Sequence, residues 1–274
     1  MLGTLVVLSS TFTTLQTAND RELFPKIESI PHALIAGRRE RAKELLNEVG
    51  SFKKPQYKRL GELVIDYLCG FSGASDRYAN ALTGIRIAHE YGASVTSARN
   101  DAMAAAAMMD EWGQITERLL QYGYKPDDGC YANNSLPIYM STQYNPKTKA
   151  LEALLKYKAD PNKWSNDVHI DKHARNFGGS DEVDTMTCLM IATIKGKTEH
   201  ARILLQYKAK VNLASKRDKM TVLHYAAKYN RSDIIPMLLK AGAAKSMRNR
   251  RGLTPLQVAR KAHADKAIKL LASP

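Results

Sequence analysis

Three cysteines occur in 274 residues, Cys69, Cys130 and Cys188. They are odd in number, far apart and include no Cys-x-x-Cys pair, so neither a disulfide framework nor a thiolate zinc site is indicated. They read as reduced thiols filling small apolar spaces, a usage that fits a cytoplasmic compartment. Long apolar runs are lacking as well. Leu2 to Leu8 is far too short to span a bilayer. It resembles the core of a secretion signal, but no Lys or Arg precedes it and a poor cleavage site follows before Asn19. Residues 1–25 therefore stand apart as an N-terminal segment, with export as the alternative to a cytoplasmic location.

Catalytic motifs are missing too. There is no glycine-rich phosphate loop, no Gly-x-Ser-x-Gly elbow and no His-Glu-x-x-His. Gly178-Gly179-Ser180 lacks the Lys that a phosphate loop needs and reads as a linker. Asp167, His169, Asp171 and His173 could approach a cation if helical, but no Cys or Glu completes a ligand spacing, and a solvated loop is the better reading. No enzyme activity, metal or cofactor is expected. Acidic residues are scarce at one end only. Residues 187–274 hold 4 Asp+Glu against 19 Lys+Arg, a balance of +15, whereas residues 1–186 hold 23 against 22. The whole net charge of +14 therefore resides in the last third. Such asymmetry points to an acidic partner, nucleic acid or an anionic surface at that end.

What is present is a period. Thr187-Cys-Leu-Met-Ile-Ala192, Thr221-Val-Leu-His-Tyr-Ala226 and Thr254-Pro-Leu-Gln-Val-Ala259 share one pattern, with their threonines 34 and 33 residues apart. A leucine pair follows each, at Leu204-Leu205, Leu238-Leu239 and Leu270-Leu271. Thr221 and Thr254 can cap a helix through the hydroxyl, and Pro255 suits a first turn where no N–H is needed. Leu223 and Leu256 face inward, while Ala226, Ala227 and Ala259 are small enough for close stacking. Ile234, Ile235, Leu238 and Leu239 form the stripe of a second helix. Gly242 can then take the left-handed conformation that ends it. The equivalent positions upstream are Gly50, Gly92, Gly123, Lys158 and Lys208, spaced by 42, 31, 35, 50 and 34 residues when Gly242 closes the series. The interval of 50 marks a polar inserted loop at about 164–182. A lysine in place of the glycine costs about 1 kcal/mol.

This pattern resembles the ankyrin repeat, with its Thr-Pro-Leu-His-x-Ala signature and 33-residue period. The resemblance implies an all-α solenoid of stacked helix-turn-helix pairs with finger-like turns, about seven pairs over residues 26–274. The copies before residue 100 are divergent. The resemblance gives His224 a hydrogen-bonding role in the turn between repeats. It also implies a non-catalytic, monomeric protein-interaction module that binds through its concave face and fingers. Exposed first-helix positions would be Tyr225, Lys228 and Tyr229, then Val258 and Lys261, with Ile191, Ile194 and Lys195 in the repeat before. The fingers would carry Lys216, Arg217 and Lys219, then Lys245, Arg248, Arg250 and Arg251. The expected partner is a protein with an acidic or mixed surface. Nucleic-acid binding through the basic end is the weaker alternative, because no zinc-finger, RNP-type or helix-turn-helix pattern accompanies it. Divergent, irregularly spaced repeats are also common in ankyrin proteins directed against hosts by intracellular bacteria or viruses, which makes a host-directed effector or scaffold one implied role.

Overall fold

A computed structural model describes residues 18–50, 61, 64–65, 68–69, 75–93, 101–127, 136–165 and 185–272. Helices come in antiparallel pairs because each segment carries an apolar face that one partner alone cannot cover. The pairs are α1 (Ala18–Ile35) with α2 (Arg39–Val49), then α3 (Ser75–Glu90), preceded by helical, buried Val64, Ile65, Leu68 and Cys69. Next come α4 (Asp101–Met109) with α5 (Gln114–Gln121) and α6 (Pro137–Gln143) with α7 (Lys149–Lys156). The last three pairs are α8 (Cys188–Lys195) with α9 (Thr198–Gln206), α10 (Val222–Lys228) with α11 (Ile235–Lys240), and α12 (Pro255–Lys261) with α13 (Asp265–Ala272). The first helices α4, α6, α8, α10 and α12 pack on one another in chain order, so the core runs along the stack as one line. This is an all-α repeat solenoid. Helix α1 begins at Ala18, ahead of the boundary expected at residue 26.

The six positions that set the period all adopt positive φ: Gly50 87°, Gly92 91°, Gly123 93°, Lys158 69°, Lys208 63° and Gly242 85°. At five of them the next residue sends its N–H back to the helix, as in Ala209 N to Leu204 O at 2.9 Å and Ala243 N to Leu238 O at 2.9 Å. That bond satisfies one of the carbonyls a helix leaves unpaired at its C-terminus. Helix starts are equally legible. Thr187 accepts from Met190 N, and Thr254 forms a reciprocal box with Gln257. Pro255 fits the first turn of α12 as expected.

Polar side chains in the turns between paired helices tie each repeat to its predecessor. Asn145 Nδ2 donates to Ala107 O at 3.1 Å and Asp110 O at 3.0 Å, at the end of α4. Lys197 Nζ donates to Thr142 O at 2.8 Å and Asn145 O at 2.7 Å, at the end of α6. Arg231 does the same to Thr193 and Ile194 at the end of α8. Three different residue types thus perform one task. A further tie is the fully buried Asp110, whose carboxylate accepts from Tyr78 Oη at 2.8 Å and from the N–H groups of Gly113 and Thr116, both at 2.8 Å. It caps α5 while linking it to α3.

Residues Trp164–Ser165 (β1) pair antiparallel with Met186–Thr187 (β2), Trp164 opposite Thr187. The ladder brackets the expected insertion, whose residues 166–184 lie outside the described ones. Asp167, His169, Asp171 and His173, and the linker Gly178-Gly179-Ser180, fall there. Among the described residues no group of three His, Cys, Asp or Glu side chains is placed to hold a metal ion. No helix of the described residues is long and apolar enough to cross a membrane.

Candidate interaction surface

The fingers of the last repeats are built by backbone and short polar side chains. In the first, Ala214 bridges Thr221, Ser215 N donates to Met220 O at 2.9 Å, and Lys219 turns the chain at φ 53°. Buried Ser215 accepts from Met220 N through its hydroxyl. Lys216 and Lys219 are exposed at this tip and Arg217 is half-buried. In the second finger, Asn249 Oδ1 accepts from Arg251 N and Leu253 N, both at 3.0 Å, and Gly252 takes φ 73°. Arg248 donates to Gly252 O at 2.7 Å, which braces the turn with its own guanidinium. Arg250 N donates to Asp218 O at 2.9 Å, so the second finger rests on the first. The side chains of Arg248, Arg250 and Arg251 are exposed, and Lys245 is half-buried.

His224 holds this arrangement in register. Its Nδ1 accepts the N–H of Thr221 at 3.2 Å and lies 2.8 Å from the Thr221 hydroxyl. Nδ1 is therefore unprotonated, and Nε2–H donates to Leu253 O at 3.0 Å in the next repeat. The ring is fully buried, and that burial holds its pKa below the ordinary histidine range. The inter-repeat role implied for His224 is what the geometry displays.

The first-helix positions need correction. Tyr225, expected to be exposed, is only 3 % exposed, and its counterparts Ile191 and Val258 are 2 % and 8 %. The cause is that α10 lies between α8 and α12 as well as against α11. A short helix wrapped on three sides frees only its last turn, and a single helix's own pattern cannot register its neighbours. Lys228 and Tyr229, in that last turn, are half-buried. Lys195 and Lys261 are exposed, while Ile194 is half-buried. The Lys228 ammonium sits 5.4 Å from the Tyr229 ring centre, within cation–π range. Burial lowers the Lys228 pKa, Asp218 works against that shift, and Arg251 adds to it. The structure thus brings Lys228 within electrostatic reach of Asp218 on the first finger and Arg251 on the second, and leaves Tyr225 in the core.

Residues 168–249 and 216–274 match the family model of ankyrin repeats, in three copies. The C-terminal part of the chain, residues 168–274, carries ankyrin repeats. Palmitoyltransferase ZDHHC17 of Danio rerio is 28% identical over 172 residues, 54% of this chain and 28% of that protein. The chain thus spans less than a third of that relative's length. In the ankyrin repeats of this chain the signature threonines 187, 221 and 254 all occupy helix N-caps, and the leucine and alanine of the motif recur in all three copies, but its capping histidine does not. That histidine itself survives only as His224, with Met190 and Gln257 standing at the equivalent helix position.

Proposed function

We propose that the chain is a non-catalytic, monomeric protein-interaction module, a scaffold or host-directed effector of about seven repeats. Its partner docks on the basic fingers and the adjoining last turns of the C-terminal first helices. The observation that carries this reading is the set of exposed Lys216, Lys219, Arg248, Arg250 and Arg251 on fingers braced by backbone bonds, with Lys228 in electrostatic reach of both fingers and beside Tyr229. Rigid elements presenting arginine and tyrosine are the kind of surface where binding energy concentrates. An acidic or mixed protein surface would be attracted to these cations, with an association rate that falls as salt rises. Tyr225, being buried, is no part of this contact surface.

Acyl transfer, the activity in the relative's name, is not part of this reading. Of the described thiols Cys69 and Cys188 are both buried, and burial pushes Cys188 up to about 12, away from the reactive thiolate form. The test is affinity capture from lysate with wild-type chain and an Arg248→Glu/Arg250→Glu/Arg251→Glu variant, at about 50 and 300 mM salt with and without nuclease. A discrete protein held by the wild type through nuclease and lost by the variant at equal helicity is the expected result. Recovery of nucleic acid alone, released by salt, would favour the basic end as a phosphate-binding surface instead.

A further inference from the structure

The left-handed residue after the second helix is glycine at four of the six period positions and lysine at two, Lys158 and Lys208. Nothing around this position rewards a side chain. At the equivalent Gly123 and Gly242 an added Cβ would meet no atom within 4 Å. Lys158 and Lys208 therefore bear the strain of positive φ without packing in return, and both stand exposed. Strain retained where glycine would relieve it is a mark of a working surface. Each lysine follows a tyrosine, Tyr157 and Tyr207, the latter 42 % exposed.

Beside Lys208 the outer surface opens into a groove of about 660 Å³. Leu205, Val211 and Leu213 form its floor, Lys208 and Lys210 stand at its rim, and no acidic side chain lines it. It exists because outer helices α9 and α11 barely touch, whereas α5 packs along α7. Helix α11 spans only six residues and starts at a proline-containing turn, which keeps it short of its neighbour. The finger arginines Arg248, Arg250 and Arg251 do not line this groove.

We infer that this outer groove is a second docking surface, one that takes an acidic segment of a partner protein. An apolar side chain of that segment enters over Leu205, Val211 and Leu213 while its carboxylates meet Lys208 and Lys210. The occupant is chosen by charge: the rim offers only cations, and the repeats around it carry the +15 excess of residues 187–274. The inference stands apart from the finger surface and survives or fails without it.

The test uses the full chain and three short synthetic peptides: alternating Glu and Leu, alternating Glu and Ser, and alternating Lys and Leu. Binding is followed by amide chemical shifts at about 0.1 M salt. The Glu/Leu peptide is expected to bind with shifts centred on Leu205, Val211 and Leu213, and the other two are expected to bind at least about tenfold more weakly. Lys208→Glu and Lys210→Glu should each weaken it several-fold, and the finger-arginine reversal should leave it unchanged. Lys208→Gly supplies the separating readout, because it should melt higher than wild type yet bind the peptide less tightly. Equal binding of the Glu/Ser peptide, shifts confined to the fingers, or no binding would overturn the inference. So would sedimentation showing a dimer that Lys208→Glu dissociates, since a second copy would then be the occupant.

Discussion

Lys158 and Lys208 hold positive φ at helix ends where four other helices use glycine, and exchanging them for glycine should make the protein more stable. The left-handed region costs an L-residue about 1–2 kcal/mol. Against this, glycine loses more backbone freedom on folding, by about 0.5–1 kcal/mol. The difference leaves a gain of roughly 0.5–1 kcal/mol per site, because neither exposed lysine packs against a neighbour that the exchange would remove. The two sites belong to different repeats, so the double variant should gain roughly 1–2 kcal/mol. The assay is urea unfolding followed by far-ultraviolet circular dichroism, with the slope checked because repeat arrays can unfold in parts. The converse variant, Gly242→Lys, should lose a similar amount, since its Cβ meets open space and only the backbone term acts. A loss of stability in Lys208→Gly, or no change in Gly242→Lys, would refute the strain argument.

Acid should loosen the array before the carboxylates protonate. Burial lowers His200 to about 4, so the folded state binds fewer protons than the unfolded one below pH 6.5, and stability falls as pH drops through that range. Because the unfolded histidine is only half protonated at pH 6.5, the loss from pH 6.5 to 5 is roughly 1.5 kcal/mol. Unfolding at the two pH values should show it in the wild type and much less of it in His200→Gln. Leu223→Ala removes a side chain with no exposure and should cost about 2–5 kcal/mol in a urea titration. A cost under about 1 kcal/mol would mean that neighbouring repeats repack around it. Asp110→Ala strips three hydrogen bonds from the α3–α5 link and should cost about 2–3 kcal/mol, with faster amide exchange at Gly113 and Thr116. Unchanged exchange there would contradict the capping role.

The repeat was readable because its punctuation is chemical. Threonine recurs at helix starts 34 and 33 residues apart, and a left-handed residue recurs at helix ends 31 to 50 residues apart, even where Lys replaces Gly. The turns therefore place left-handed residues at helix ends upstream of residue 168 as well, where the first helices lack the signature. Side-chain exposure was less legible. The repeat pattern predicts an exposed Tyr225, yet it is buried in a helix that packs against α8 and α12 as well as α11. The ties made by Asn145, Lys197 and Arg231 escaped sequence reading for a related reason. They occupy one structural position, but an amide, an ammonium and a guanidinium all satisfy free carbonyls, so no single residue type marks it. Asp110 and Tyr78 stand 32 positions apart and meet only through stacking. The outer groove likewise depends on the gap between α9 and α11, which no local pattern encodes.

The measurement that bears most directly on the central claim is partner capture by the wild type against the Arg248→Glu/Arg250→Glu/Arg251→Glu variant, with circular dichroism confirming equal helicity. The finger surface, as proposed, requires that a protein held by the wild type after nuclease treatment be absent from the variant. Undiminished capture by a folded variant would contradict it and move recognition off the basic fingers.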